Sequence, residues 1–268
     1  MKRFNAVAVL YGLVVLVLLV VKAVAPAISY GAWLSDLAVL RLSAVAKILF
    51  LGLSALFAHL SAISFDGENP SRPAWRLLAL GLAGFFVGQS YLGFHPLALG
   101  LSTPYPSAAD VAFMVAYPFI LAAFWRFIAA YRESGFPVGS RREHGLLALA
   151  AALVFAAVGF VALGPVTAAS APPLEKLLNI AYPAFDFLIL IPLVILLRIT
   201  VPFRGGRIWT VWAALLAGFV AMGAGDILYA YFVTLGQAWL DSLIDVLFVI
   251  SYILVSQATL KQRDLLVS

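Results

Sequence analysis

The chain has 268 residues, 64% of them apolar, a mean hydropathy of +1.06, and 17 basic against 12 acidic side chains. Soluble domains carry about 45–50% apolar and about 25% charged residues, so a water-soluble fold of this composition would expose apolar surface that such folds avoid. The net charge of +5 therefore says little about nucleic acid, which is not an expected partner, and the absence of cysteine excludes disulfides, thiolate nucleophiles and Cys-ligated metal.

The class that remains is an all-α integral membrane protein. Apolar runs broken at charge and Pro/Gly clusters predict eight transmembrane helices, at 4–25, 38–65, 77–94, 110–131, 146–166, 177–201, 209–232 and 242–260. Each is close to the about 20 residues that a helix needs to cross the hydrocarbon core. Placing the N-terminus inside puts 13 of the 17 basic residues on the cytoplasmic face, among them Arg72, Arg76, Arg141, Arg142, Arg204 and Arg207. The positive-inside bias thus predicts a multi-pass protein of the cell membrane with both termini cytoplasmic. All six Trp (Trp33, Trp75, Trp125, Trp209, Trp212 and Trp239) fall at span ends, where their rings favour the headgroup layer.

In chain order, the first span follows Lys2 and Arg3 but is read as retained, because its A-x-A site, Ala23-Val24-Ala25, is followed by Pro26. The second carries Lys47, with Arg41 nearer the outside. The third holds Gln89, Ser90 and Tyr91 and a small-residue stripe, Gly84 and Gly88. Asp110 opens the fourth, which also has Tyr117 and Pro118. The fifth has no polar side chain and a stripe of Ala148, Ala152 and Ala156. Both stripes are read as internal packing surfaces. The sixth holds Asn179, Tyr182, Pro183, Asp186 and Pro192, the seventh Asp226 and Tyr229, and the eighth Asp245 and Tyr252.

The fourth and eighth spans share a frame. Asp110–Tyr117 reads DVAFMVAY and Asp245–Tyr252 reads DVLFVISY, both DVxFxxxY, with Asp and Tyr two helical turns apart on one face. Ala116-Tyr117-Pro118 is echoed by Ala181-Tyr182-Pro183, and Gly88-Gln89 by Gly225-Asp226. These matches suggest a single membrane domain, 1–268, made of two parallel four-helix repeats, 1–131 and 140–268, related by an axis along the membrane normal.

Ionisable residues inside a membrane are costly and usually face the bundle interior, which makes them candidate functional groups. Lys47, Asp110, Asp186, Asp226 and Asp245 all fall in the outer half of the bilayer or near its midplane and are expected to converge. Lys47 is expected to pair with Asp186 or Asp226, and unpaired buried carboxyls to hold their protons. With Gln89, Tyr117, Tyr182 and Tyr252 they form the predicted ligand-binding set. Two accounts compete. In one, these groups cross-link helices and compensate carbonyls freed by Pro118, Pro183 and Pro192. In the other, they line an outward-facing pocket that binds a ligand or relays protons. His59, His95 and His144 lie at different levels and make no haem pair, and Lys47 is read as an ion-pair partner rather than a retinal Schiff base. No H-E-x-x-H, G-x-S-x-G or P-loop motif is present, so no cofactor, metal or enzymatic activity is expected.

The strings PSAADVAFMVAYP, YPAFDFLIL, GDILYAY and LDSLIDVLFVISY resemble the multi-span N-terminal sensory regions that precede GGDEF diguanylate cyclases and some histidine kinases. The resemblance covers roughly residues 77–260. It implies that Asp110, Tyr117, Pro118, Tyr182, Pro183, Asp186, Asp226 and Asp245 are shared positions and that the chain is a sensor-like or ligand-binding module. Only about eight residues follow the last predicted span, with no PAS, GGDEF or kinase domain, so the sequence is read as a piece of a longer chain, as a protein that acts alone, or as one that signals through a separate partner or a second copy. The expected partners are the lipid bilayer and a small molecule, a lipid or a proton. A proton-coupled small-molecule transporter and an accessory subunit of a membrane complex are the alternatives.

Overall fold

A computed structural model describes residues 2–24, 35–101, 103–234 and 241–267. Trp33, Trp239, Ala25 and Pro26 lie outside them, and the Lys2 and Arg3 side chains are likewise not described. The described residues fold into helices with no strand: α1 (Lys2–Val24), α2 (Asp36–Ser64), α3 (Ser71–Phe94), α4 (Ala108–Glu133), α5 (Arg141–Val158), a short α6 (Gly164–Ala168), α7 (Pro173–Ile199), α8 (Arg207–Thr234) and α9 (Asp241–Val267). Eight helical segments are long and apolar enough to cross a membrane, with α5 and α6 forming one of them, Arg141–Ala168. The protein is an all-α multi-span membrane protein.

Side-chain caps decide where several helices begin. Ser107 and Asp110 form a reciprocal capping box at the start of α4, and Ser140 and Glu143 do the same for α5. Each box satisfies backbone N–H groups that the first turn leaves without partners. Single π turns extend α3 over His95–Leu99, around Pro96, and join α5 to α6 over Gly159–Leu163, just before Pro165. A proline has no N–H to give to the regular ladder, and widened turns absorb that loss. α4 runs unbroken through Pro118, and α7 through Pro183 and Pro192.

Within the first half α2 packs on α3 and α3 on α4; within the second, α7 packs on α8 and α8 on α9. The halves meet where α2 packs on α9 and α4 on α7. Glycines set the closest approaches. A Cβ on Gly88 would lie 2.8 Å from the Phe113 ring, and one on Gly225 would lie 3.2 Å from the Phe248 ring. One helix repeat away, Gly81 abuts Ile120 and Gly218 abuts Val255. Gly84 meets Ala116, so the third-span stripe is an internal surface, as expected.

Two sequence expectations need correction. The Ala stripe of the fifth span is not internal packing: α5 buries no residue, and Ala152 and Ala156 are exposed on its surface, facing the space that lipid fills in a membrane. Nor do all the Trp residues sit in the headgroup layer. Trp75 and Trp212 are buried on either side of Phe127, with ring centroids 5.0 Å away in each case. Trp212 Nε1 donates to Tyr131 Oη at 2.9 Å, so this tryptophan finds its polar partner inside the bundle instead of at the interface.

Candidate functional site

Three hydrogen-bonded groups tie the halves together. Lys47 Nζ of α2 donates to Asp245 Oδ1 of α9 at 2.7 Å, and Ser43 Oγ donates to Asp245 Oδ2 at 2.6 Å. Across the bundle, Tyr182 Oη of α7 donates to Asp110 Oδ1 of α4 at 2.6 Å, while Asp110 Oδ2 receives the backbone N–H of Ser107. Deeper, Tyr117 Oη of α4 donates to Asp186 Oδ1 of α7 at 2.9 Å and lies 3.4 Å from Asp226 Oδ2 of α8. The Asp186 and Asp226 carboxyls are also within hydrogen-bonding reach of each other.

The expected pairing of Lys47 with Asp186 or Asp226 is therefore wrong. Depth along the membrane allowed either partner, but α2 packs on α9, which brings Asp245 to the ammonium. The idea that the polar groups compensate proline-freed carbonyls also finds no support. The polar side chains named above do not donate to the backbone carbonyls of Met114, Asn179 or Leu188, the positions four residues before Pro118, Pro183 and Pro192. The polar side chains bond one another.

Between the two halves lies a cavity of about 360 Å³. Lys47, Gln89, Asp110, Tyr117, Tyr182, Asp226, Asp245 and Tyr252 line it; Asp186 does not and sits one hydrogen bond behind Tyr117. The Asp, Phe and Tyr of both DVxFxxxY frames face this space: Asp110, Phe113 and Tyr117 from α4, and Asp245, Phe248 and Tyr252 from α9. The shared frame thus supplies two opposing walls. Gln89 and Asp226, matched in sequence on α3 and α8, supply the other two.

Sequence reasoning missed Ser43, Phe85 and Tyr105. Ser43 and Phe85 look like ordinary residues of apolar helices. Tyr105 lies in the loop between α3 and α4, where no periodicity marks it. That loop forms the rim of the cavity, at the end of the bundle opposite both termini, with Pro96, Thr103, Pro104 and Tyr105 lining it. It is held in place from several sides. Arg41 Nε donates to Pro96 O at 2.9 Å, Thr103 Oγ1 to Leu92 O at 2.8 Å, and Tyr105 Oη to Asn179 Oδ1 at 2.6 Å. Gly100 turns the chain at φ 67°, a left-handed conformation that a side chain would oppose. Burial, with Tyr229 and then the Asp110, Glu175 and Asp226 carboxyls nearby, pushes the Tyr105 phenol well above its usual range, so it stays a neutral donor.

His95 Nδ1 lies 3.3 Å from Tyr91 O and His144 Nε2 lies 2.7 Å from Val138 O, both as helix-end hydrogen bonders. Among the described residues no group of three His, Asp or Glu side chains could hold a metal ion. Comparison of the chain with protein-family models, curated proteins and solved structures finds no match.

Proposed function

We propose that this protein is a non-enzymatic, multi-pass membrane module that binds a small molecule in the cavity between its halves, with both termini cytoplasmic and the cavity facing outward. The observation that carries the reading is the cavity itself. Polar groups from α2, α3, α4, α7, α8 and α9 gather on one space large enough for a small ligand, and aromatic and aliphatic side chains line the rest of it. Helices α4 and α7, which carry proline within their length, are the elements that an occupant would bias between states. The resemblance to membrane regions ahead of cyclase and kinase domains supports a sensory use of that bias. The matched contacts Gly88–Phe113 and Gly225–Phe248 support two parallel repeats, 1–131 and 140–268, with the cavity between them.

The native chain has no cysteine, so a single introduced thiol reports its own position. With Thr103→Cys on the rim and Ala44→Cys on the wall, a membrane-impermeant methanethiosulfonate added outside intact cells labels both. Labelling of Ala44→Cys from neither side of the membrane would remove the ligand-binding reading, and labelling of Thr103→Cys only from the inside would invert the orientation.

One observation favours a second reading, a proton-coupled transporter. The Tyr117 hydroxyl links the cavity wall to two adjacent buried carboxyls, Asp186 and Asp226. Proteoliposomes carrying an entrapped pH dye decide between the readings. Proton flux under an imposed potential that disappears in Asp186→Asn favours transport; its absence favours the binding module.

A further inference from the structure

The acids on the cavity wall are not equally occupied. Asp245 is bound by Lys47 and Ser43, and Asp110 by Tyr182 and the Ser107 backbone. Asp226 has the long 3.4 Å contact from Tyr117, itself committed to Asp186, and lies beside the Asp186 carboxyl, but it is paired with no described base. Lys47 is the one base among the lining residues against three acids, and its charge is already balanced by Asp245. An anionic ligand would find no free positive charge on this wall.

A second, independent feature lies opposite Asp226. Gln89 is 4% exposed and lines the cavity, yet its amide makes no hydrogen bond to another described residue. A polar group that no neighbouring side chain serves takes its partner from whatever fills the cavity, water or ligand. The amide, which carries an acceptor oxygen, borders a space that also holds the Asp226 carboxyl. Around both stand ring systems, Phe85, Phe113, Tyr105 and Tyr229 among them, whose faces attract cations and whose bulk takes an apolar body.

Resting on the small-molecule reading above, we infer that the ligand is a small arylalkylammonium, its N–H donors on Asp226 and Gln89 and its ring among the aromatic walls. A quaternary ammonium would leave Gln89 unserved, and a metal ion would leave the rings without a role. The Gln89/Asp226 difference between otherwise matched positions gives the cavity one neutral and one charged acceptor, which suits a single monovalent head.

The test uses the full chain in lipid nanodiscs and three probes of similar shape, 2-phenylethylammonium, 2-phenylethanol and 3-phenylpropanoate, titrated by calorimetry at neutral pH. The ammonium is expected to bind at least about tenfold more tightly than the alcohol, with the carboxylate weakest. Asp226→Asn should erase that preference, and Gln89→Leu should weaken the ammonium. Should Asp226→Asn fail to fold, the ratio of ammonium to alcohol affinity in the unaltered chain decides alone. Alcohol binding as tight as ammonium binding overturns the cation inference but keeps the small-molecule reading, and so does a preference for the carboxylate. Binding of none of the three at millimolar concentration overturns the inference, and the cysteine-labelling experiment then decides the reading independently.

Discussion

Tyr117 has one proton to give and two carboxyls to serve. Asp186 Oδ2 has no donor among the described residues, so the phenol is the main hydrogen-bond source for the acid pair. Tyr117→Phe should therefore lower stability by about 1–3 kcal/mol, the usual cost of leaving a buried polar group unserved. Tyr182→Phe should cost less, about 1 kcal/mol, since Asp110 keeps its capping bonds. Chemical unfolding in detergent, followed by circular dichroism, measures both. Equal losses would mean that the deep triad has no special dependence on its hydroxyl. The Lys47–Asp245 pair gives a second case. Lys47→Met leaves a largely buried carboxylate with only Ser43, and a broken buried pair commonly costs about 3–5 kcal/mol. The double variant Lys47→Met/Asp245→Leu should recover most of that loss, because no unpaired charge remains. A double variant no more stable than the single one would mean that the pair also holds the packing of α2 on α9.

At the scale of the element, the glycines on α3 and α8 let the backbones approach so closely that a side chain has no room. A Cβ on Gly81 would lie 3.1 Å from the Ile120 backbone nitrogen, and one on Gly218 would lie 3.1 Å from Ser251 O. Backbone cannot swing aside as a side chain does, so Gly81→Val and Gly218→Val should each destabilise by about 1–3 kcal/mol or more. Gly145→Val on α5 meets nothing within 4 Å and should be nearly neutral in the same unfolding assay. Similar losses at Gly81 and Gly218 are the outcome expected of equivalent halves. These contacts show how much of the element level was legible: DVxFxxxY and the Gly88/Gly225 match were readable as strings. Their mutual contact was not, because a string gives a residue's height on a helix but not the neighbour it faces. The α5 stripe makes the same point from the other side. Small residues at i and i+4 permit close packing, yet no helix is set against most of that face.

For the whole molecule the proposed orientation rests on where charge can go. The end of the bundle that carries both termini holds most of the Arg and Lys residues, chiefly at helix ends, whereas the rim of the cavity lies at the other end. Single thiols at Gly135 and Gly205, both in turns on the basic side, should resist an impermeant maleimide added outside intact cells, whereas Thr103→Cys should react. The reverse labelling pattern would mean that the cavity opens to the cytoplasm. The same architecture explains why no cavity residue comes from α1 or α5. α1 packs on α9 and α2, and α5 only lightly on α7, so both lie outside the ring that encloses the site.

Composition and run length by themselves determined the solvent of this protein and its eight long apolar helices, since these depend on transfer from water. They also marked out the polar side chains that had to be explained, because each is conspicuous in an apolar background. Tertiary structure alone decided that Lys47 meets Asp245 and that Trp75 and Trp212 turn inward. It also left Gln89 and Asp226 facing a shared space with acceptors to spare. The reason is physical. A helix in lipid is apolar on its outer face as well as its inner one, so hydropathy carries no stripe that says which way it is turned. Its rotation is set by the glycine contacts and interhelical hydrogen bonds formed only once the neighbours are in place.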